Sequence, residues 1–356
     1  MSTTASRPAR LQAPNWFGFT ATLLLLLGLV LLPEALQGRS FELRLLTVMF
    51  LYAVLGHGWN ILGGFAGQTS IGHGVFFGLG AYASTLLHLW YGLNPWLGMV
   101  AGAAVAAAFG VLIGLPCFRL RGHYFVIATL VVVEIMYQLF AAWSTVGGAS
   151  GLSIPVGEAG LTSFQFHRDR TPYYYIALAM LTGVTALVWW LSRSRLGYIL
   201  QAIRDDEEAL RSLGFSPSRY KLIAMAMSAA IVGAGGVFYA QYVLFIDPAS
   251  VLTLALSVVI ALIPIFGGVG TVAGPIVGAA VLVPISEYSR VWFSGSGRNV
   301  DLLIYGFLIM VIAVYRPNGV MSLFELEGFR RLMAPLGIGK GRAGLWRARG
   351  RVEDAA

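Results

Sequence analysis

Along the chain, apolar residues come in long runs separated by short polar or glycine-rich stretches. The runs lie close to the roughly 20 residues that a helix needs to cross a hydrocarbon core about 30 Å thick. Irregular backbone cannot be satisfied in lipid, so runs of this kind are read as helices. Ten are predicted, at 17–33, 44–62, 74–91, 96–117, 123–142, 173–191, 221–246, 251–266, 271–287 and 301–316. The eighth and ninth are short and flanked by glycine, so they also fit half-helices that enter and leave on one side. The pattern therefore predicts an all-α integral membrane protein, a polytopic bundle of eight to ten transmembrane helices with broken or re-entrant glycine-rich segments.

Three polar stretches, 63–74, 143–172 and 192–220, interrupt the runs, and a fourth, 267–279, is glycine-rich without being charged. The first and fourth share a character: Gly63-Gly64-Phe65-Ala66-Gly67 in one, Gly267-Gly268-Val269-Gly270 in the other. This hints at an internal duplication of the kind found in many transporters.

Composition agrees with the pattern. Of 356 residues 57% are hydrophobic and 11% charged, against about a quarter charged in soluble domains, which excludes an ordinary soluble enzyme. One cysteine, Cys117, rules out an intrachain disulfide scaffold and a cysteine-rich metal site. The net charge of +8 resembles a nucleic-acid signal until it is mapped. With both termini in the cytoplasm, 18 of the 24 Lys and Arg residues fall inside, and only Arg39, Arg44, Arg168, Arg170, Arg290 and Arg298 fall outside. That is the positive-inside asymmetry of a multi-pass protein. The basic tail has no recognisable nucleic-acid module and fits a juxtamembrane lipid contact better. Arg7 and Arg10 precede the Leu23–Leu27 run, but no small-x-small cleavage site follows, so this run is read as the first span and not as a signal peptide. The organisation expected is a cytoplasmic segment at 1–16, a transmembrane domain at 17–320 carrying a cytoplasmic loop at 192–220, and a basic cytoplasmic tail at 321–356.

The stretch from Gly63 to Gly74 places five glycines and four polar side chains, Gln68, Thr69, Ser70 and His73, between two apolar segments. Glycine allows helices to break and backbone groups to face a solute path in place of lipid. Gly267 and Gly268, ahead of Pro275, offer the same possibility. The alternative is a tight turn followed by close helix packing, which the small-xxx-small pairs Gly74/Gly78, Gly98/Gly102, Gly110/Gly114 and Gly274/Gly278 favour. Glu134 lies in the middle of a predicted span, where a charged carboxylate costs on the order of 3 kcal/mol unless paired or facing water. It is a candidate for the path or for a hydrogen bond between helices, and His57 and Asn60, three apart in the second span, are placed to meet it or line the same cavity.

In the 192–220 loop, Leu196, Ile199, Leu200, Ile203, Leu210 and Leu213 recur at helical spacing, while Arg204-Asp205-Asp206-Glu207-Glu208 and Arg211 cover the other side. Gly214 and Pro217 then stop the helix. One short amphipathic helix is predicted, with its stripe on the bilayer, on the protein's own helices or in a partner's groove. The acidic polar face favours a protein groove.

These segments together carry a family resemblance. Residues 63–82 (GGFAGQTSIGHGVFFGLGAY), 119–130 (RLRGHYFVIATL), 147–152 (GGASGL), 197–207 (GYILQAIRDDE), Leu213-Gly214 and 267–279 resemble, in order, the permeases of branched-chain amino acid ABC importers, the LivM-like branch. The likeness runs from about residue 45 to 320. It implies a subunit of an importer in the bacterial inner membrane, paired with a second homologous permease, driven by two cytoplasmic ATPases and supplied by a periplasmic binding protein. In that picture 197–214 docks the ATPases, with Arg204, Asp205, Asp206 and Glu207 as polar contacts, Leu200, Ile203 and Leu210 as apolar anchors, and Gly214 at the end. Related permeases serve urea, short amides or other amino acids, so the substrate stays open.

The chain has no G-x-x-x-x-G-K-[ST] motif, since Gly337-Ile338-Gly339-Lys340 runs on into Gly341. ATP and Mg therefore belong to partner subunits, with no cofactor or metal expected in this chain. The rival reading is a secondary transporter coupled to protons through Glu134 and His57. A membrane-embedded enzyme lacks support, because neither H-E-x-x-H nor G-x-S-x-G occurs.

Overall fold

The computed structural model describes residues 16–292, apart from 37, 121, 158, 159, 161, 162, 167 and 168, together with residue 306. Among the described residues the helices are α1 (Trp16–Ala35), α2 (Ser40–Trp59), α3 (His73–Tyr91), α4 (Pro95–Cys117), α5 (His123–Ala142), α6 (Thr171–Arg193), α7 (Arg195–Asp205), α8 (Glu207–Ser212), α9 (Pro217–Val243), α10 (Pro248–Val251), α11 (Leu254–Gly267) and α12 (Gly274–Trp292). Helix α1 belongs to one compact unit and the other helices to a second. Nine of the ten predicted runs coincide with helices, and 301–316 lies outside the described residues. Among the described residues, six segments are long and apolar enough to cross a membrane: 40–65, 95–117, 123–142, 171–193, 217–243 and 248–267.

Burial separates centre from periphery. The apolar window of α2 and its continuation is 78% buried and that of α9 61%, against 28% for α4, α5 and α6. Helix α4 shows how the sequence sets this up. Its buried positions are Pro95, Gly98, Gly102, Ala106, Gly110, Gly114 and Cys117, a stripe of mostly small residues three or four apart, while Leu97, Val100, Leu112 and Leu115 face outward. The stripe meets α9 antiparallel. A Cβ built on Gly102 would lie 2.6 Å from Val237, one on Gly110 2.8 Å from the Ala229 Cβ, and one on Gly114 2.9 Å from Leu222. In lipid, helices gain little from burying apolar surface and associate through close van der Waals packing, which small residues permit. The small-xxx-small pairs of α4 therefore serve packing.

The connection between α2 and α3 is the break in the bundle. His73, the first residue of α3, bonds Ser228, which adjoins Ala229, and Ala229 faces Gly110, seven residues before the end of α4. At 1.5 Å per residue, α3 begins about 10 Å inside the level at which α4 ends. The eighth predicted run is divided: the four-residue α10 and the 14-residue α11 flank a break at Leu252 and Thr253. Helix α12 has 19 residues, and α11 and α12 pack backbone to backbone, with Gly267 against the Gly274 carbonyl and Gly278 against that of Ile263.

On the opposite face, β1 (Leu152–Ser153) pairs antiparallel with β2 (Phe245–Ile246), fastening the 143–170 loop to the end of α9. The Tyr173 hydroxyl lies 3.2 Å from the Phe164 carbonyl and 3.1 Å from that of Gln241, sharing its one proton between them. Asp169 accepts from the backbone and hydroxyl of Thr171 at 2.9 and 2.6 Å, and these bonds hold its carboxyl below the usual carboxylate range.

Candidate functional site: a junction of two glycine segments and a loop helix

Helix α2 does not end at Trp59 but widens into a π-helical turn, Asn60–Phe65. The Ala66 amide donates to Ile61 and that of Gln68 to Leu62. Gly63 permits the widening, since a Cβ there would lie 2.5–2.6 Å from the Trp59 ring, which covers it. Trp59 then reaches forward, its Nε1 donating to the Ser70 carbonyl at 2.7 Å.

Beyond the turn the backbone is irregular, and its polar groups find side-chain partners, as buried backbone must. The Ile71 amide donates to Thr129 Oγ1 at 3.1 Å, that of Gly72 to Ser70 Oγ at 3.1 Å, and that of Gly74 to Ser257 Oγ at 2.8 Å. This is how non-helical backbone survives at membrane depth. The four polar residues of the segment divide accordingly. Ser70 and His73 are fully buried and hold the break together, His73 Nε2 lying 2.8 Å from Ser228 Oγ. Gln68 is half-buried, its amide donating to the Ala66 carbonyl, and Thr69 is exposed.

The second glycine segment comes to the first. Asn60 Nδ2 donates to the Thr271 carbonyl and Asn60 Oδ1 accepts from the Gly270 amide, both at 2.8 Å, so one side chain clamps the turn ahead of α12. Within that turn Thr271 Oγ1 donates to the Gly268 carbonyl and accepts from the Gly274 amide. Gly64 lies directly under the clamp, where any Cβ would strike Asn60.

The loop between α6 and α9 closes the junction. Arg204, in the last turn of α7, donates from Nη1 to the Gly64 carbonyl at 2.8 Å. Its stem lies across Gly67, where a Cβ would be 2.9–3.2 Å from Arg204 Cγ, Cβ and Cα. A Cβ on Gly270 would be 2.5 Å from Nη1. Both glycines have positive φ, +69° and +74°, so the backbone there also favours glycine. The three segments that the arginine distribution assigns to the cytoplasm thus meet at one face.

The loop is two helices where the sequence predicts one. Asp206 leaves the helical conformation (φ −157°) and accepts from the amides of Glu208 and Ala209, because a short acidic side chain caps a new helix better than it continues an old one. Leu200, Ile203 and Leu210 are 0%, 4% and 7% exposed. Their stripe is used within the chain, α7 packing on α6 and α9 and α8 on α9, in place of the partner groove expected of it. Of the polar contacts named from the sequence, Arg204 is exposed but bonds back to the Gly64 carbonyl, Asp206 caps α8, and Glu207 is held by Arg211 at 2.8 Å and by Lys221 of α9. Lys221 is buried, with the Phe118 ring 6.0 Å from its ammonium. Asp205 and Gly214 are exposed. The apolar groups that the loop does present are Tyr198, Leu213 and Phe215, 62%, 74% and 42% exposed.

Glu134 stands apart. The buried positions of α5 are Phe125, Thr129, Val133, Met136 and Phe140. At 100° per residue, Glu134 points roughly 140° and Gln138 roughly 180° from the centre of that arc. Both are exposed, and Gln138 Nε2 donates to Glu134 Oε1 at 2.8 Å. The expected meeting with His57 and Asn60 does not occur: His57 Nε2 lies 3.1 Å from Thr185 Oγ1 of α6, and Asn60 is committed to 270–271. Sequence reasoning passed over Trp59, Thr129, Ser257 and Lys221. Only Lys221, a cation at the edge of an apolar run, carried a signal.

Comparison with known proteins bears on this architecture. Residues 42–313 match the family model described as branched-chain amino acid transport system / permease component. The high-affinity branched-chain amino acid transport system permease protein LivM of Salmonella typhimurium is 32% identical over 300 residues, 78% of this chain and 69% of the relative, and LivM of Escherichia coli matches to the same extent. LivH of E. coli, also a permease protein of a high-affinity branched-chain amino acid transport system, is 23% identical over 299 residues, 79% of this chain and 94% of its own length. No solved structure matches. With its helical, multi-pass membrane architecture and a family match over most of its length, the chain belongs to the branched-chain amino acid transport permease family.

Proposed function

We propose that this chain is one permease subunit of an ATP-driven importer for branched-chain amino acids in the bacterial inner membrane, with both termini cytoplasmic. A periplasmic binding protein delivers substrate to the β1–β2 face, a second homologous permease completes the path, and two cytoplasmic subunits bind and hydrolyse ATP with Mg. The observation that carries this reading is the junction itself. A loop with exposed Tyr198, Leu213 and Phe215 for a protein partner is hydrogen-bonded directly to the break between α2 and α3. Partner motion at the loop therefore has a short route into the membrane.

In this reading Gln68 and Thr69, which reach the surface beside the break, and Glu134 on the outer face of α5 border the path. Ser70 and His73 fix the backbone that shapes it, and Gly267 and Gly268 form the opposing turn. Asp205, with Tyr198, Leu213, Phe215 and Gly214, forms the ATPase-facing surface. The test is crosslinking: cysteine placed at Tyr198 or Leu213 is expected to link to an ATPase subunit in the assembled complex, whereas cysteine at Trp96, on the β1–β2 face, does not. Equal labelling at both faces, or none at Leu213, refutes the docking assignment. Measuring the binding protein's affinity for leucine, urea and acetamide separates the substrate classes.

A further inference from the structure

We infer that Arg204 is a positioning residue that ties the loop helix to both glycine segments at once, so that displacement of α7 is delivered to the break between α2 and α3 and to the turn ahead of α12. The inference rests on the reading of 192–220 as the ATPase-docking loop.

Its grounds are geometric. Leu200 and Ile203 bury one face of α7 in the bundle, which makes the helix a rigid body. Arg204 follows Ile203 directly and precedes the Asp206 break, so it sits where α7 ends. Its guanidinium holds a backbone carbonyl, Gly64, whose position is set by the π turn. The same guanidinium lies over Gly270, where a built Cβ would be 2.5 Å from Nη1, and the Gly270 amide is held by Asn60 from within that π turn. Arg204, Gly64, Asn60 and Gly270 thus form a closed ring of contacts linking three elements distant in sequence. Glycine at 64, 67 and 270 is what brings the backbones close enough for one side chain to reach them all. A guanidinium suits the task because its planar fork presents several donors in fixed directions, where an ammonium is a single point. Coupling through packed, hydrogen-bonded elements needs such continuity.

A purely structural role, satisfying the Gly64 carbonyl, predicts a different outcome, and the ratio of substrate imported to ATP hydrolysed separates the two. The complete transporter is reconstituted in proteoliposomes, with leucine uptake, ATP hydrolysis and melting temperature measured for Arg204→Ala, Arg204→Lys, Asn60→Leu and the Arg204→Ala/Asn60→Leu pair. The ratio is expected to fall about tenfold in Arg204→Ala with hydrolysis within about twofold of wild type, to recover in part in Arg204→Lys, and to be no lower in the pair than in the worse single variant, as for residues acting as one unit. An unchanged ratio overturns the inference. So does a parallel fall of uptake, hydrolysis and melting temperature, which marks a structural role. Failure of the docking reading is seen separately, in the wild-type background, as absence of the Leu213→Cys crosslink.

Discussion

Glu134 tests whether the outer face of α5 meets lipid or something polar. It is the twelfth of twenty residues in the helix, about 17 Å along a span about 30 Å deep, and so near the middle. A charged residue there costs about 3 kcal/mol against lipid, and leucine gains about 0.5 kcal/mol. The bond from Gln138 returns about 0.6 kcal/mol on average for such groups and at most about 1.7 kcal/mol. The deficit is about 2–3 kcal/mol, more than a tenfold population, so a lipid-facing Glu134 would be improved by leucine. If the face instead borders a water-filled path or the second permease, Glu134→Leu removes a polar group that the assembly uses. The expected result is that Glu134→Leu leaves the melting temperature of the isolated subunit in detergent unchanged or raised, while initial uptake by the assembled transporter falls about tenfold or more with subunit assembly intact. Uptake within about twofold of wild type, with the subunit stabilised, would place Glu134 against lipid and refute the reasoning.

Other outcomes follow from single contacts. Gly110→Leu forces a side chain into Ala229, 2.8 Å from the site of its Cβ, and is expected to lower subunit stability by about 1–3 kcal/mol as overpacking, whereas Leu112→Ala on the exposed face of the same helix should change it little; thermal melts in detergent compare them. Glu207→Gln leaves the buried Lys221 ammonium without its anion and should cost about 1–3 kcal/mol, less than a fully buried pair because Glu207 is partly exposed; adding Lys221→Met should restore most of the loss, and a double variant as unstable as Glu207→Gln would contradict the pairing. Asp169, its pKa lowered by Thr171, contributes stability that is complete above the ordinary carboxylate pKa of about 3.9 and is lost as pH falls through the depressed folded value. Thr171→Val should therefore cost stability at pH 6 and progressively less below pH 4, as read from melting curves.

Periodicity and span length were enough to place the helices, because in lipid the requirement that every backbone group be satisfied leaves few alternatives. The small-residue stripe of α4 was equally legible, since packing is written directly in Gly98, Gly102, Ala106, Gly110 and Gly114. What the sequence concealed is long-range pairing. Asn60 lies 210 positions from Gly270, and Arg204 lies 140 from Gly64, and no local pattern announces that an amide will clamp a distant turn. The charged run at 204–208 reads as one polar contact face, and the contacts that Arg204, Asp206 and Glu207 make within the chain are not visible in it. The division of the loop into α7 and α8 was hidden because Asp206 is tolerable inside a helix and better as a cap, and only the context of Glu208 and Ala209 decides between them.

The central claim is that transport through this chain is driven by ATP hydrolysed on partner subunits. The most direct measurement is uptake of labelled leucine into proteoliposomes holding this chain, with and without the second permease, the ATPases, the binding protein and ATP. Uptake that requires all of these and is indifferent to an imposed pH gradient is the predicted result. Uptake by this chain alone, driven by a pH gradient and abolished by Glu134→Gln, would contradict it.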